Sequence, residues 1–146
     1  MNFYTTSTFR QTLTSLTKKP KEGYNSVVKD ICKALISMEP NIIRDTNDRI
    51  KQFEDFRIVK LRLPNSGQHL SRPDGFRLIY YVSLISDDVT LLRIYPKRGP
   101  QGIVDLVDEE YDRLLLEMVT ENNNKTLHQV DINNSLAELD TNTSMF

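Results

Sequence analysis

A chain of 146 residues, 38% of them hydrophobic and 27% charged, has the length and composition of one folded domain and not of a disordered polymer. No apolar run approaches the ~20 residues that span a bilayer, and the N-terminus lacks the basic-then-apolar order of a secretory signal. One cysteine and two histidines exclude an internal disulfide framework and argue against a zinc cluster, so no cofactor or metal is expected and the reducing cytoplasm is the expected location. The net charge of -1 conceals an asymmetry: residues 1–98 carry 17 Lys/Arg against 10 Asp/Glu, and residues 99–146 carry 2 against 10. A basic body with an acidic end points to a polyanionic partner for the body.

In chain order, Asn2 to Thr5 suits a short strand. Thr6 or Ser7 can cap a following helix, with Phe9, Leu13 and Leu16 at helical spacing and Pro20 as its stop. A second helix is predicted over about 24–38, with Tyr24, Val27, Val28, Ile31, Leu35 and Met38 on one face, and Cys32 beside that stripe reads as a buried thiol. Residues 41–53 fit a short helix or an irregular connection. From residue 57 the period changes from 3.6 to 2, predicting strands at 57–63, 76–85 and 89–97. Residues 64–75 between the first two are dense in turn residues and form a long hairpin loop. A last helix is predicted from about 105, opened by acidic residues that suit a positive helix N-terminus and carrying Tyr111, Leu114, Leu115, Met118 and Val119 as a buried stripe. Residues 121–146, rich in Asn and Thr, read as a polar acidic tail without fixed structure.

Strand alternation sorts the sheet into two faces. Val59, Leu61, Leu63, Phe76, Leu78, Tyr80, Val82, Leu84, Leu92 and Ile94 form a core face that the helices must cover. The opposite face collects Lys60, Arg62, Arg77, Arg93 and Lys97, interleaved with Tyr81 and Tyr95, and holds no acidic residue within the strands. Cations for phosphate and rings for base stacking are what a single-stranded nucleic acid requires, so this face is the candidate RNA surface.

The run KLRLPNS, GFRLIYYV and LLRIYPKRGPQG, followed by an acidic helix start, resembles the RelE/ParE superfamily of toxins, most of all its RelE/HigB-type messenger-RNA interferase branch. The likeness covers about 1–120, which would be the toxin domain, with 121–146 as the tail. It implies an α+β fold: a small, mostly antiparallel sheet with two N-terminal helices packed on one face and a C-terminal helix. It implies a toxin of a type II toxin–antitoxin system that cuts translated messenger RNA in the ribosomal A site without a metal. In that reaction a ribose 2′-OH attacks the adjacent phosphate, leaving a 2′,3′-cyclic phosphate and a free 5′-OH, and a cognate antitoxin silences the enzyme. Carried over residue by residue, the catalytic set becomes Lys60, Arg62, Arg77 and Lys97 or Arg98, with Arg93, Tyr81, Tyr95 and His69 as RNA-binding groups. Lys60 and His69 are the candidates for proton transfer. A tyrosine expected just after the last strand is absent, and Ile103 and Val104 stand there instead. The alternatives are a ParE-like member that inhibits gyrase and cuts nothing, and a relative that only binds RNA.

Overall fold

Thr6 leaves β1 (Phe3–Thr5) in an extended conformation, and its side-chain oxygen accepts the Phe9 N–H, which opens α1 (Ser7–Thr17). The computed structural model that shows this describes residues 1–40, 43 and 49–139. A short turn of 3₁₀ helix at Pro20–Glu22 ends on left-handed Gly23, and α2 (Val27–Ser37) follows, three residues later than the stripe alone suggests. The strands β2 (Arg49–Gln52), β3 (Phe56–Leu63), β4 (Phe76–Ser83) and β5 (Val89–Pro96) come next, then α3 (Asp108–Asn123), β6 (His128–Asp131) and β7 (Ala137–Glu138). Of the ambiguous stretch 41–53, residues 41, 42 and 44–48 lie outside the described residues, and 49–52 is a strand.

The sheet runs β2-β3-β4-β5-β1-β6-β7 among the described residues. All its pairings are antiparallel except β1 with β5. This is the expected α+β architecture. A parallel first strand needs a long crossover, and α1, α2 and the β3–β5 hairpins supply it. No helix among the described residues is long and apolar enough to cross a membrane.

One face of the sheet packs on α1 and α2. Phe9 and Leu16 of α1, with Val27, Ile31 and Leu35 of α2, meet Val59, Leu61, Leu63, Phe76, Leu78, Tyr80, Val82, Leu91 and Ile94. Cys32 is buried at this layer, and burial pushes its thiol up from the ordinary range, which suits an inert core thiol. The second face is not the open surface expected from strand alternation. α3 lies over it, burying Tyr111, Leu114 and Met118 against Ile58, Ile79, Leu92 and Tyr95. A β-bulge explains one reassignment: between Ile79 and Tyr80 the β4–β5 register slips, with Ile79 opposite Arg93 and Tyr80 opposite Leu91. The extra residue sends Leu92 to the α3 side while Leu91 and Ile94 stay with α1 and α2.

Two carboxylates hold α3 in place. Glu117 accepts the Thr8 N–H at 3.0 Å and the Thr8 hydroxyl at 2.7 Å, and Glu121 accepts the Ser7 N–H at 3.2 Å. The free N–H groups of the first turn of α1 are thereby satisfied by side chains from another helix, with charge of the favoured sign. This also corrects the expected tail. Residues 121–123 finish α3, β6 pairs with β1, and β7 pairs with β6, so 121–139 belongs to the fold; 140–146 lies outside the described residues. β6 has a single β-branched residue, Val130, but the open edge of β1 offers a row of backbone partners, and Val130 and Leu136 are buried there.

Candidate functional site

The cations of β3, β4 and β5 do share one face. Across the strands Lys60, Ile79 and Arg93 form one row, and Arg62, Arg77 and Tyr95 the next, with Lys97 and Arg98 just beyond. What the strands could not reveal is what lies over them. The acidic segment that opens α3 supplies the missing counter-charges. Arg93 pairs with Glu110 at 2.9 Å, and Lys60 with Asp105 at 3.4 Å. Lys97 donates to the Val104 carbonyl at 2.7 Å. Arg98 pairs with Asp74 at 2.9 Å. The acidic half of the chain thus folds back onto the basic half.

Three expected RNA-facing residues need correction. Tyr95 is only 2% exposed, sealed under α3 beside Tyr111, and offers no ring face for a base. Arg93 is half-buried and held by Glu110. Arg77 is 6% exposed and donates to the carbonyls of Arg72 and Pro73 at 2.8 Å and of Phe76 at 3.2 Å. A planar fork with several donors is suited to gather carbonyls in this way, and at Arg77 it fixes the 72–74 turn.

The loop 64–75 is built, not loose. Asn65 and Leu70 exchange backbone hydrogen bonds at 3.0 Å, and the buried Asn65 amide donates to the Gly23 carbonyl at 2.9 Å. The Asp30 carboxylate accepts the Ser66 N–H at 3.0 Å, and the Ser26 hydroxyl accepts that of Gly67 at 3.0 Å. Gly75 closes the loop by close approach: a Cβ there would stand 2.0 Å from the Leu63 carbonyl oxygen. The 98–102 loop is tied from the same side. The Tyr24 hydroxyl donates to the Arg98 carbonyl at 2.9 Å and accepts the Gln101 N–H at 3.1 Å. The start of α2 therefore holds both loops that border this end of the sheet. Sequence reading missed these supports, although the buried polar Asp30 within an otherwise apolar helix face was a signal for one of them.

What remains open is a cationic end. Arg62, Arg72, Arg98 and His69 are exposed there, and Lys97 is half-buried. Arg62 makes no ion pair among the described residues. His69 adopts left-handed backbone, φ 55°, and caps a turn, which places its ring on the outside of the loop. Tyr81 stands elsewhere. It lies four residues along β4 from Arg77, about 13 Å at strand rise, and its ring stacks on Phe56 with centroids 5.0 Å apart. Phe56 in turn stacks on Phe53 at 4.4 Å.

The remaining tyrosines of this face are chemically quiet. Burial, then the neighbouring Tyr111 and Asp105, drive the Tyr95 phenol well above the ordinary range, with Arg77 and Arg93 opposing. Tyr111 is pushed up to about 12, mainly by burial and next by Asp105. Both are neutral across the physiological range.

No family model, no curated protein and no solved structure matches this chain.

Proposed function

We propose that this chain is a RelE-like toxin, an endoribonuclease that cuts translated messenger RNA at the cationic end of its sheet and is silenced by a cognate antitoxin. The observation that supports the reading is the cationic end of the sheet, where Arg62 is exposed at the end of β3 and Lys97 and Arg98 follow β5, bordered by two loops tied to the start of α2, one of which carries the exposed His69. Attack of a 2′-oxygen on phosphorus forms the new O–P bond as the bond to the 5′-oxygen breaks. Charge builds on the phosphoryl oxygens, and fixed cations stabilise it more in the transition state than before it. Arg62 and Lys97 are assigned that role. The exposed His69 imidazole takes the 2′-OH proton, and the departing 5′-oxygen recovers one from water. Lys60, held by the Asp105 carboxylate, acts as a cation beside the site and not as the base.

The test is cell-free translation with the purified chain, followed by mapping of transcript ends. The expected result is cleavage within translated codons, leaving 5′-OH ends, and a loss of about 10²–10³ in rate for Arg62→Ala or Lys97→Ala, the scale of a lost oxyanion donor. Intact transcripts overturn the nuclease reading. Intact transcripts together with blocked DNA supercoiling by gyrase establish the ParE-like alternative.

A further inference from the structure

A cleft of about 570 Å³ opens on the α3 side of the sheet, away from the cationic end. Its floor is a row of neighbours across four strands: Tyr81 of β4, Thr90 of β5, Tyr4 of β1 and Gln129 of β6. At ordinary strand spacing that row is about 14 Å long. One wall is Met118, Val119 and Asn122 of α3, continued by Lys125 and Leu127, and the other is Ser83, Ser86 and Asp88 at the β4–β5 turn.

This floor departs from the rest of the covered face. Under the first half of α3 the sheet offers Ile58, Ile79 and Leu92. Under the second half it offers two phenols, an alcohol and an amide. Polar groups set beneath a helix are ordinarily matched within the protein. Here the half-buried Tyr4 and Tyr81 hydroxyls and the half-buried Asp88 carboxylate have no hydrogen-bond partner among the described residues, and the exposed Asn122 and Lys125 side chains line the same cleft. Asp88 is close enough to Tyr4 to raise its phenol above the ordinary range, second to burial as a cause. The lining thus has a ring-and-methyl surface for a flat group, amides for a hydrogen-bonding edge, one carboxylate and one cation on different walls.

We propose that this cleft binds a nucleoside 5′-monophosphate. The base lies between the Tyr81 ring and the Met118–Val119 wall, since every base has a π-face to stack. Asn122 and Gln129 meet its edge, as amides pair with the donor–acceptor pattern of bases. Asp88 accepts the ribose 2′,3′-hydroxyls, the usual use of a carboxylate beside a ribose. Lys125 meets the phosphate. The diol and the 5′-phosphate leave opposite sides of a ribose, and Asp88 and Lys125 stand on different walls of the cleft. A volume of this size is that of an ordinary small-molecule site. The site is distinct from the cationic end and requires no cleavage activity.

The test is titration of the full chain with each of the four ribonucleoside 5′-monophosphates, followed by amide NMR. Inorganic phosphate and ribose 5-phosphate serve as separate probes. The expected result is saturable shifts at Tyr4, Tyr81, Thr90 and Gln129. Asp88→Asn and Lys125→Ala should each weaken binding about tenfold, the scale of one charged hydrogen bond. Asn122→Trp, at an exposed helix position, should block the cleft while the spectrum elsewhere stays native. The base-free probes should bind at least about tenfold more weakly than the nucleotides. Absence of saturation at millimolar nucleotide, equal affinity for ribose 5-phosphate, or binding unchanged in all three variants overturns the assignment. None of these variants touches Arg62, Lys97 or His69, so a failure here is separate from a failure of cleavage.

Discussion

Where α1 and α2 meet the sheet, the interface is carbon against carbon almost throughout, and its centre, from Val59 to Leu78 and Val82, is sealed from water. Where α3 meets the other face, an apolar strip only eight buried residues strong runs between ion pairs at one end and an open polar cleft at the other. Both faces are covered by helices, and the first carries the larger apolar layer. A domain gains its stability from one dense apolar layer. The second, smaller layer shares its face with ion pairs and hydroxyls.

The contrast is sharpest in large-to-small substitutions. Leu78→Ala on the first face is expected to cost about 3–5 kcal/mol, and Leu114→Ala on the second about 2–3 kcal/mol, because a site near an open margin relaxes and admits water more easily. Urea denaturation at matched pH measures both, and equal losses would dissolve the distinction.

Arg77 and Arg62 are cross-strand neighbours, yet they serve different ends. Arg77→Met removes the guanidinium bonds to three carbonyls, of which that of Arg72 keeps the Gly75 N–H, and a loss of about 1–3 kcal/mol is expected. Arg62→Ala, at an exposed position, should stay within about 0.5 kcal/mol of the parent. Paired thermal melts, with cleavage rates under the proposed nuclease reading, separate the two: Arg77→Met should lose both, Arg62→Ala only the rate.

Smaller still is the ionic seam beneath the start of α3. Each partner of Arg93–Glu110 is about a quarter exposed, and a double-mutant cycle should give about 1 kcal/mol of coupling. Asp105 is 62% exposed, so the Lys60–Asp105 pair should couple by only a few tenths of that and vanish in high salt. A larger coupling at Asp105 than at Glu110 would mean that the loop before α3, not the helix itself, anchors the cover.

At neutral pH the smallest effect falls on the tyrosines beneath α3. The buried Tyr111 hydroxyl lies beside the Tyr95 phenol, so Tyr111→Phe should change stability by less than about 1 kcal/mol. Alkali reveals it. A phenol that titrates near 10 when unfolded and about 12 when folded contributes stability fully present below pH 10 and lost as the pH rises toward 12. The α3 face should therefore open first in an alkaline titration, and Tyr111→Phe should move that midpoint upward. Phenolate absorbance beside far-ultraviolet circular dichroism checks it. Ionisation of all six tyrosines near pH 10 with the fold intact would contradict the burial of Tyr95 and Tyr111.

Much of this was readable along the chain. Thr6 as a cap, the stripes of α1 and α2, the alternation of β3 and β4 and the stripe at Tyr111, Leu114 and Met118 are local patterns. Each follows from the period of its own backbone and needs no distant partner. The shared face of Lys60, Arg62, Arg77 and Arg93 is equally local, because a strand's alternation decides which side chains stand together.

What overlies that face was decided only by the tertiary structure. Glu110 reaches Arg93 across 17 positions, Asp105 reaches Lys60 across 45, and Glu117 reaches the first turn of α1 across 109. No period along the chain encodes such pairings. The bulge at Leu92 is likewise a property of two strands in register. The strand at 128–131, weak by composition, exists because β1 presents an unpaired edge to it. Sequence patterning determined which residues each element exposes on each side. The packing of α3 and β6 then determined which of those residues meet water, and so which remain available to a ligand.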